Sequence, residues 1–134
     1  MKNYKPIIIV AGEPNSIFLE IFFKALRFKR YKSPIILICS KKLLLNEMKK
    51  FRFKKKINLI EQSDLGKIKL NNESINLLNV KFDFTKLKIT SLIQSNSYIK
   101  ECFNLSFRII KDGLADKLIN GPISKKKFLD KKFL

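Results

Sequence analysis

The pattern of apolar and polar positions alternates between short apolar runs and longer amphipathic stretches. Residues 6–11 and 34–39 are continuous apolar runs rich in isoleucine, which is typical of strands buried on both faces of a parallel sheet. Residues 57–61 form a third such strand. The stretches 17–30 and 41–51 carry apolar residues at helical spacing. Strands that alternate with helices predict an α/β fold with a mostly parallel sheet.

The second half of the chain is less regular but continues the alternation. A short strand is predicted between Ile75 and Val80, a long helix over 91–111, and a last strand around Leu118 and Ile119. Gly113 is expected to cap the long helix at its C-terminus, because glycine readily adopts the left-handed conformation there.

Four polar residues are expected at helix starts. Asn15 or Ser16 precedes the first helix, Ser40 precedes the second, and Ser124 precedes a last helical stretch. Each has a side-chain oxygen that can accept a hydrogen bond from a backbone N–H of the first turn.

The composition limits what can be read from the charge. Lys (25), Ile (19), Phe (12) and Asn (11) make up half of the 134 residues, and all four have A/T-rich codons. A genome-wide bias toward A and T bases therefore accounts for much of the net charge of +18. The chain has no His, which excludes His-ligated metal and His-centred proton transfer within it. Its apolar runs are far shorter than the roughly 18 residues that span a membrane, so we expect a soluble cytoplasmic protein.

One basic segment contains six cations in eight residues, with Phe51 and Phe53 between them. The cations are Lys49, Lys50, Arg52, Lys54, Lys55 and Lys56. Cations with interleaved aromatic rings can hold single-stranded nucleic acid. The two rings also fit the end of a helix that faces a core, and nearly all the cations are lysines. We therefore favour the core interpretation and do not expect nucleic acid as the main partner.

Two loops carry unusual residues at the carboxyl ends of strands, where open α/β sheets bind ligands. The first is residues 12–16, Gly-Glu-Pro-Asn-Ser, and the second is residues 120–125, Asn-Gly-Pro-Ile-Ser-Lys. Backbone N–H groups at such helix starts can receive an anion, and Lys125 could reach a phosphate. Tight turns alone also explain the Gly and Pro residues. Neither loop has the spacing of a dinucleotide fingerprint or a P-loop.

The first loop and its flanks, residues 5–26, resemble the opening of the 4-hydroxythreonine-4-phosphate dehydrogenases, NAD-dependent enzymes of pyridoxal-phosphate biosynthesis. That family typically has a strand, then Gly-Glu/Asp-Pro-Ala-Gly-Ile-Gly-Pro-Glu, then a helix. The matching residues are Gly12, Glu13, Pro14, Ile17 and Glu20. The residues that differ are Asn15, Ser16, Phe18 and Leu19, so two loop glycines of the family are missing.

The second loop and the strand before it, residues 112–128, resemble the family segment Gly-x-x-Asp-Ala-Leu-Val-Thr-Gly-Pro-Ile-x-Lys. The matching residues are Gly113, Asp116, Leu118, Ile119, Gly121, Pro122, Ile123, Ser124 and Lys125. Asn120 replaces the usual Thr. Two matches in the right order are stronger evidence than either match alone.

The resemblance implies a fold and an activity. The fold is an α/β/α sandwich like that of isocitrate and isopropylmalate dehydrogenases, assembled as a homodimer. The activity is oxidation of a phosphorylated hydroxy-amino acid, 4-phosphooxy-L-threonine, with hydride transfer to NAD, followed by decarboxylation. A divalent metal cation is implied as a second cofactor, with its ligands beyond residue 134.

The resemblance also implies that residues 1–134 are a single N-terminal portion whose C-terminal remainder is absent. We expect this chain alone to be inactive and to expose an unpaired sheet edge that favours association. The resemblance assigns no catalytic residue and no metal ligand within residues 1–134. The residues expected to line the cleft are Gly12, Glu13, Pro14, Asn120, Gly121, Pro122 and Lys125.

Three alternatives remain open. The chain could be a short binding module for anionic partners, or part of a sister dehydrogenase for another phosphorylated hydroxy acid. It could also be a basic nucleic-acid-binding protein, for which binding should fall steeply with added salt.

Overall fold

The computed structural model describes the backbone of residues 4–82 and 87–123, and the side chains of residues 4–82 and 95–123. The described part contains five strands and three α-helices. In chain order these are β1 (Ile7–Val10), α1 (Phe18–Phe28), β2 (Ile35–Cys39), α2 (Lys41–Lys50), β3 (Ile57–Leu59), β4 (Ile75–Asn79), α3 (Leu87–Lys111) and β5 (Lys117–Asn120).

The five strands form one sheet in the order β3-β4-β2-β1-β5, and every neighbouring pair is parallel. The predicted α/β fold with a parallel sheet is therefore confirmed. Each predicted strand is present, although β3 ends at Leu59, and α3 begins at Leu87, earlier than the pattern indicated.

The sheet is covered on both faces, which gives three layers. On one face α1 and α2 bury Phe22, Phe23, Leu44 and Met48 against β1, β2 and β4. On the other face α3 buries Ile99, Cys102 and Ile109 against alternate residues of the same strands. The central strand β2 is buried at all five positions, as its continuous apolar sequence predicts.

The helix ends follow the predicted chemistry with one shift. Ser40 caps α2, since its Oγ accepts a hydrogen bond from the Leu43 N–H at 3.3 Å. Helix α1 begins one residue late for the predicted caps, because Ile17 occupies the cap position and makes no side-chain bond there. The Ser16 Oγ still accepts from the first helical N–H, that of Phe18, at 3.3 Å. Ser124 lies outside the described residues.

The C-terminus of α3 ends at glycine, as predicted. Gly113 has a φ of 75°, its N–H donates to the Ile110 carbonyl at 3.0 Å, and the Leu114 N–H donates to the Ile109 carbonyl at 3.2 Å. These two bonds form a Schellman motif.

Within the part of the chain that the structure describes, strand β5 lies at one edge of the sheet and is covered on one face only. Leu118 packs toward α3, whereas Ile119 is about half exposed, at 51%, on the face of α1 and α2. No helix within the described residues is both long enough and apolar enough to cross a membrane.

Candidate functional site

The two glycine-containing loops lie side by side because β1 and β5 are neighbours in the sheet. The strands pair in register up to Val10 and Asn120, and each loop leaves its strand at the next residue or two. The Gly121 N–H donates to the Val10 carbonyl at 2.7 Å, and the Glu13 N–H donates to the Pro122 carbonyl at 2.8 Å. The parallel pairing therefore continues into the loops themselves.

The two glycines allow this close packing. Gly12 has a φ of 82°, and a Cβ placed on it would lie 2.5 Å from the Pro122 carbonyl oxygen. A Cβ on Gly121 would collide with the backbone of Ala11 and with the Phe18 ring. The packing of one loop on the other thus requires both glycines, whether or not a ligand is present.

The structure shows a small cavity beneath the first loop. It has a volume of about 10 Å³, which is room for about one water molecule. Its lining residues are Ala11, Gly12, Glu13, Pro14, Ser16, Leu19, Cys39, Leu43 and Tyr98. The described residues around this loop therefore do not enclose a substrate, and we refer to the two paired loops as the wall.

The sequence-predicted site residues differ in their exposure. Gly12 and Gly121 are buried, and Glu13 and Pro14 are half-buried and border the cavity. Pro122 is exposed at the loop surface. These five residues are brought together at the carboxyl ends of β1 and β5.

The other two predicted residues are Asn120 and Lys125. Asn120 is exposed, and its Nδ2 donates to the Gly121 carbonyl at 2.9 Å, so its amide supports its own loop. Lys125 lies outside the described residues, so its expected contact with a phosphate remains a prediction.

Tyr98 is a residue of this site that sequence reasoning missed. It projects from α3 and is buried, and its Oη accepts a hydrogen bond from the Ser40 N–H at 2.8 Å. It thereby joins α3 to the start of α2 beside the cavity. The helical spacing of the apolar residues in 91–111 was the available signal, because Tyr98 and Ile99 occupy the buried face with Cys102.

Tyr98 also lies near two buried thiols. It is hydrogen-bonded to Cys102, and burial raises the pKa of the Cys102 thiol to about 12. Burial, with a smaller contribution from Cys102, raises the pKa of Cys39 further, and burial likewise raises the pKa of the Tyr98 phenol. Burial therefore keeps these groups neutral near pH 7.

The described residues do not by themselves fit a metal ion or a dinucleotide. They contain no group of three or more His, Cys, Asp or Glu side chains that could hold a metal ion. The cavity at the loops is far smaller than a nicotinamide cofactor. A metal site and a cofactor site would need further protein groups.

The aromatic rings of the basic segment belong to the core. Phe53 stacks on Phe23 with ring centroids 4.6 Å apart, and Phe51 meets Phe23 edge-on at 6.5 Å. Phe53 is 7% exposed. The favoured interpretation, that these rings face a core, is confirmed, and the alternative in which they stack on nucleic-acid bases is wrong.

The arrangement defines a class of protein: a three-layer α/β protein whose parallel sheet carries a paired-loop wall at its carboxyl end. Solved structures with this fold include 4-hydroxythreonine-4-phosphate dehydrogenase from Klebsiella pneumoniae, with a TM-score of 0.74 and 16% identity over 92% of this chain. A putative 4-hydroxythreonine-4-phosphate dehydrogenase from Salmonella typhimurium has a TM-score of 0.76 and 18% identity, also over 92% of this chain.

A third such structure is the 4-hydroxythreonine-4-phosphate dehydrogenase from Burkholderia phymatum, with a TM-score of 0.68 and 16% identity over 98% of this chain. The chain spans 38%, 39% and 40% of the lengths of these three structures. No protein-family model and no curated protein matches the sequence. The resemblance indicated by the two loops is therefore confirmed for the fold.

Proposed function

We propose that this chain supplies the N-terminal portion of an NAD-dependent dehydrogenase that oxidises and decarboxylates 4-phosphooxy-L-threonine in pyridoxal 5'-phosphate biosynthesis. The observation that carries the proposal is the pair of loops joined at Gly12 and Gly121. These loops are the two segments that resemble the dehydrogenases in sequence. They meet in a fold shared with such enzymes over 92% of the chain.

In the proposed reaction, the secondary alcohol of the substrate loses a hydride to NAD and a proton to solvent or a base. The resulting β-keto acid then releases carbon dioxide. The chain's own contribution is a rigid wall: Gly12, Glu13 and Pro14 on one side, and Gly121 and Pro122 on the other. Rigidity matters because a displacement of about 1 Å in a positioning group can reduce a rate about 100-fold.

The start of α1 offers this wall a means of holding an anion. Among the described residues, the N–H groups of Leu19 and Glu20 have no hydrogen-bond acceptor. Unpaired N–H groups at the start of a helix favour a phosphate or a carboxylate. Lys125 is proposed to add a cation on the second loop. The ligands of the divalent metal are proposed to lie in polypeptide beyond residue 134. The full-length enzyme is proposed to be a cytoplasmic homodimer.

The test is a titration of the isotope-labelled chain with 4-phosphooxy-L-threonine, followed by amide NMR. We expect weak binding, with a Kd of about 1 mM or above, because only one wall is present. The amide signals of residues 12–20 and 120–121 should shift together. Two matched ligands separate recognition of the whole substrate from recognition of an anion. They are 4-hydroxy-L-threonine, which lacks the phosphate, and inorganic phosphate alone.

Shifts confined to the two loops, and larger for the substrate than for inorganic phosphate, support the proposal. Two results overturn it: equal responses to both ligands, or no response at the loops at ligand concentrations well above about 10 mM.

A further inference from the structure

The end of the sheet opposite the paired loops carries two strongly basic segments. Residues 27–34 run from the last turn of α1 to β2, and residues 49–56 run from the last turn of α2 to β3. Both run from the end of a helix to the start of a parallel strand, so they meet at the amino end of the sheet. Their cations are Arg27, Lys29, Arg30, Lys32, Lys49, Lys50, Arg52, Lys54, Lys55 and Lys56.

Base bias in the composition explains many lysines, but it does not explain this arrangement. Neither segment contains an acidic residue. Of the four arginines in the chain, which base bias disfavours, Arg27, Arg30 and Arg52 lie in these two segments. Within the described residues, none of the ten cations has a carboxylate within 4.0 Å, since the ion pair found there joins Lys24 and Glu20. Arg27 donates a hydrogen bond to the Arg52 carbonyl and lies over the Phe53 ring, and Lys29 and Lys50 lie over the rings of Tyr31 and Phe51. The remaining cations are available to an anionic partner.

The two segments border a continuous groove. Lys54, Lys55 and Lys56 line one part of about 580 Å³, together with Leu26 and Glu73. The adjoining part, of about 510 Å³, shares Lys55, Leu26 and Glu73. Its further lining residues are Lys29, Arg30, Tyr31 and Asn72. We refer to the two parts together as the amino-end groove.

The groove residue Lys29 follows directly on an aromatic residue whose ring lies in solvent. Phe28 is 91% exposed at the last position of α1, between Arg27 and Lys29. The rings of Phe51 and Phe53, by contrast, are packed against Phe23. An almost fully exposed phenylalanine among cations has apolar area to gain by stacking, and nucleic-acid bases stack on such rings.

We propose that the amino-end groove binds single-stranded nucleic acid. The phosphates of the strand lie along Lys54, Lys55 and Lys56 and the cations of residues 29–30, and one base stacks on Phe28. Because lysines contact phosphates and no side chain is placed to read base edges, the binding is tolerant of sequence.

The half-buried position of Lys55 favours a polymer strand over a membrane. A lipid headgroup surface is flat and would meet the rim of the groove, not the half-buried Lys55 within it. The groove lies at the opposite end of the sheet from the paired loops, so this proposal does not rest on the proposed dehydrogenase function.

The test is fluorescence anisotropy of labelled oligo-U and oligo-dT strands with the full chain over a range of salt concentrations. The groove variant is K54Q/K55Q/K56Q. The matched control is K42Q/K81Q/K100Q, which removes the same charge from three exposed lysines elsewhere. We expect the groove variant to bind at least about 10-fold more weakly, and its salt slope to fall by about 2.

The control should change affinity less than about threefold, since long-range charge is screened at physiological salt. Phe28→Ala should weaken binding by about 5-fold or more with little change in the salt slope, because it removes stacking and leaves the charge unchanged. Circular dichroism of each variant confirms folding.

Three results overturn the proposal. One is equal weakening by the groove variant and its control, which would assign binding to net charge alone. Another is no binding near physiological salt. The third is binding to phosphatidylserine vesicles, dependent on Phe28, without binding to either oligonucleotide, which would make the partner a membrane.

Discussion

Gly12 and Gly121 pack backbone against backbone at the ends of β1 and β5, so that neither position has room for a Cβ. This contact joins two segments that are more than 100 residues apart in the sequence. It makes the two loops one unit, held by the Glu13 to Pro122 and Gly121 to Val10 hydrogen bonds. A ligand bound to one loop would therefore be positioned by both.

Replacing Gly12 with alanine should destabilise the fold strongly. The new Cβ would be strained by the φ of 82° and would also lie 2.5 Å from the Pro122 carbonyl oxygen. We expect the free energy of unfolding to fall by about 3 kcal/mol or more, as measured by urea denaturation.

Gly113 provides the matched control for this substitution. Its φ of 75° gives the same strain, but no atom lies within 4 Å of a Cβ built there. Gly113→Ala should therefore cost only about 1–2 kcal/mol, the penalty of the left-handed conformation. Equal losses for the two variants would show that the loop contact adds nothing to stability.

Replacing Tyr98 with phenylalanine tests the connection between α3 and the start of α2. The change leaves the buried Ser40 N–H without its acceptor, which now lies 2.8 Å away. An unpaired buried donor costs about 1–3 kcal/mol, and we expect a loss of that size in urea unfolding. Tyr31→Phe is the control, since the Tyr31 ring is half-buried and should tolerate the change within about 0.5 kcal/mol. If Tyr98→Phe lost as little stability as this control, the Tyr98 hydroxyl would not stabilise the connection between α3 and α2.

The order of elements could be predicted from the sequence because each depends on local spacing. The apolar run before Gly12 and the run before Ser40 are continuous, and only a strand buried on both faces accepts such a run in an α/β fold. The caps at Ser40 and Gly113 are equally local, because the residue itself supplies the bond or the φ angle.

The order of strands in the sheet could not be predicted in the same way. Nothing near Gly12 shows that β5 lies beside β1, because that pairing depends on a crossover through α3. The Tyr98 contact with Ser40 has the same origin, since it joins residues from distant segments. The exposure of Phe28 is likewise a tertiary property: it lies seven residues after Ile21 on the same face of α1, and only the structure shows that this apolar pair is exposed, at 91% and 51%.

The buried thiols predict a loss of stability at high pH. In the unfolded chain they ionise from their ordinary pKa of 9.0, whereas in the fold burial raises the pKa of Cys102 to about 12 and raises that of Cys39 further. Because the folded pKa is the higher one, their stabilisation is complete below about pH 9 and is lost as pH rises toward 12. The expected loss is about 1.4 kcal/mol per thiol one pH unit above the unfolded pKa.

The measurement for the thiols is urea unfolding of the natural chain and of C39A/C102A at several pH values. The difference between the two proteins reports the thiols together with their effect on the neighbouring Tyr98 phenol. The stability advantage of the natural chain should shrink as pH rises above about 9. A difference that stays constant with pH would contradict the burial of both thiols in the neutral form.

Replacing Asn72 with alanine should loosen the amino end of the sheet, where the α1–β2 connection borders the amino-end groove. The Asn72 Oδ1 accepts from the Ile35 N–H at 2.8 Å, and its Nδ2 donates to the carbonyls of Tyr31 and Ser33 at 3.0 and 2.8 Å. These three bonds fix the entry of the chain into β2. The side chain is only half-buried, so water can replace some of the lost hydrogen bonds. We therefore expect the free energy of unfolding in urea to fall by about 2 kcal/mol.

The control for Asn72 is Asn104→Ala on the exposed face of α3, which should change stability by less than about 0.5 kcal/mol. Hydrogen exchange adds a local readout, because Asn72→Ala should speed exchange of the Ile35 amide more than that of Leu37, in the middle of the same strand. Asn72→Asp keeps the acceptor for Ile35 but sets an oxygen against the Tyr31 and Ser33 carbonyls, so it should lose at least as much stability as Asn72→Ala. An aspartate variant more stable than the alanine variant would show that the two carbonyl contacts contribute less than the Ile35 bond.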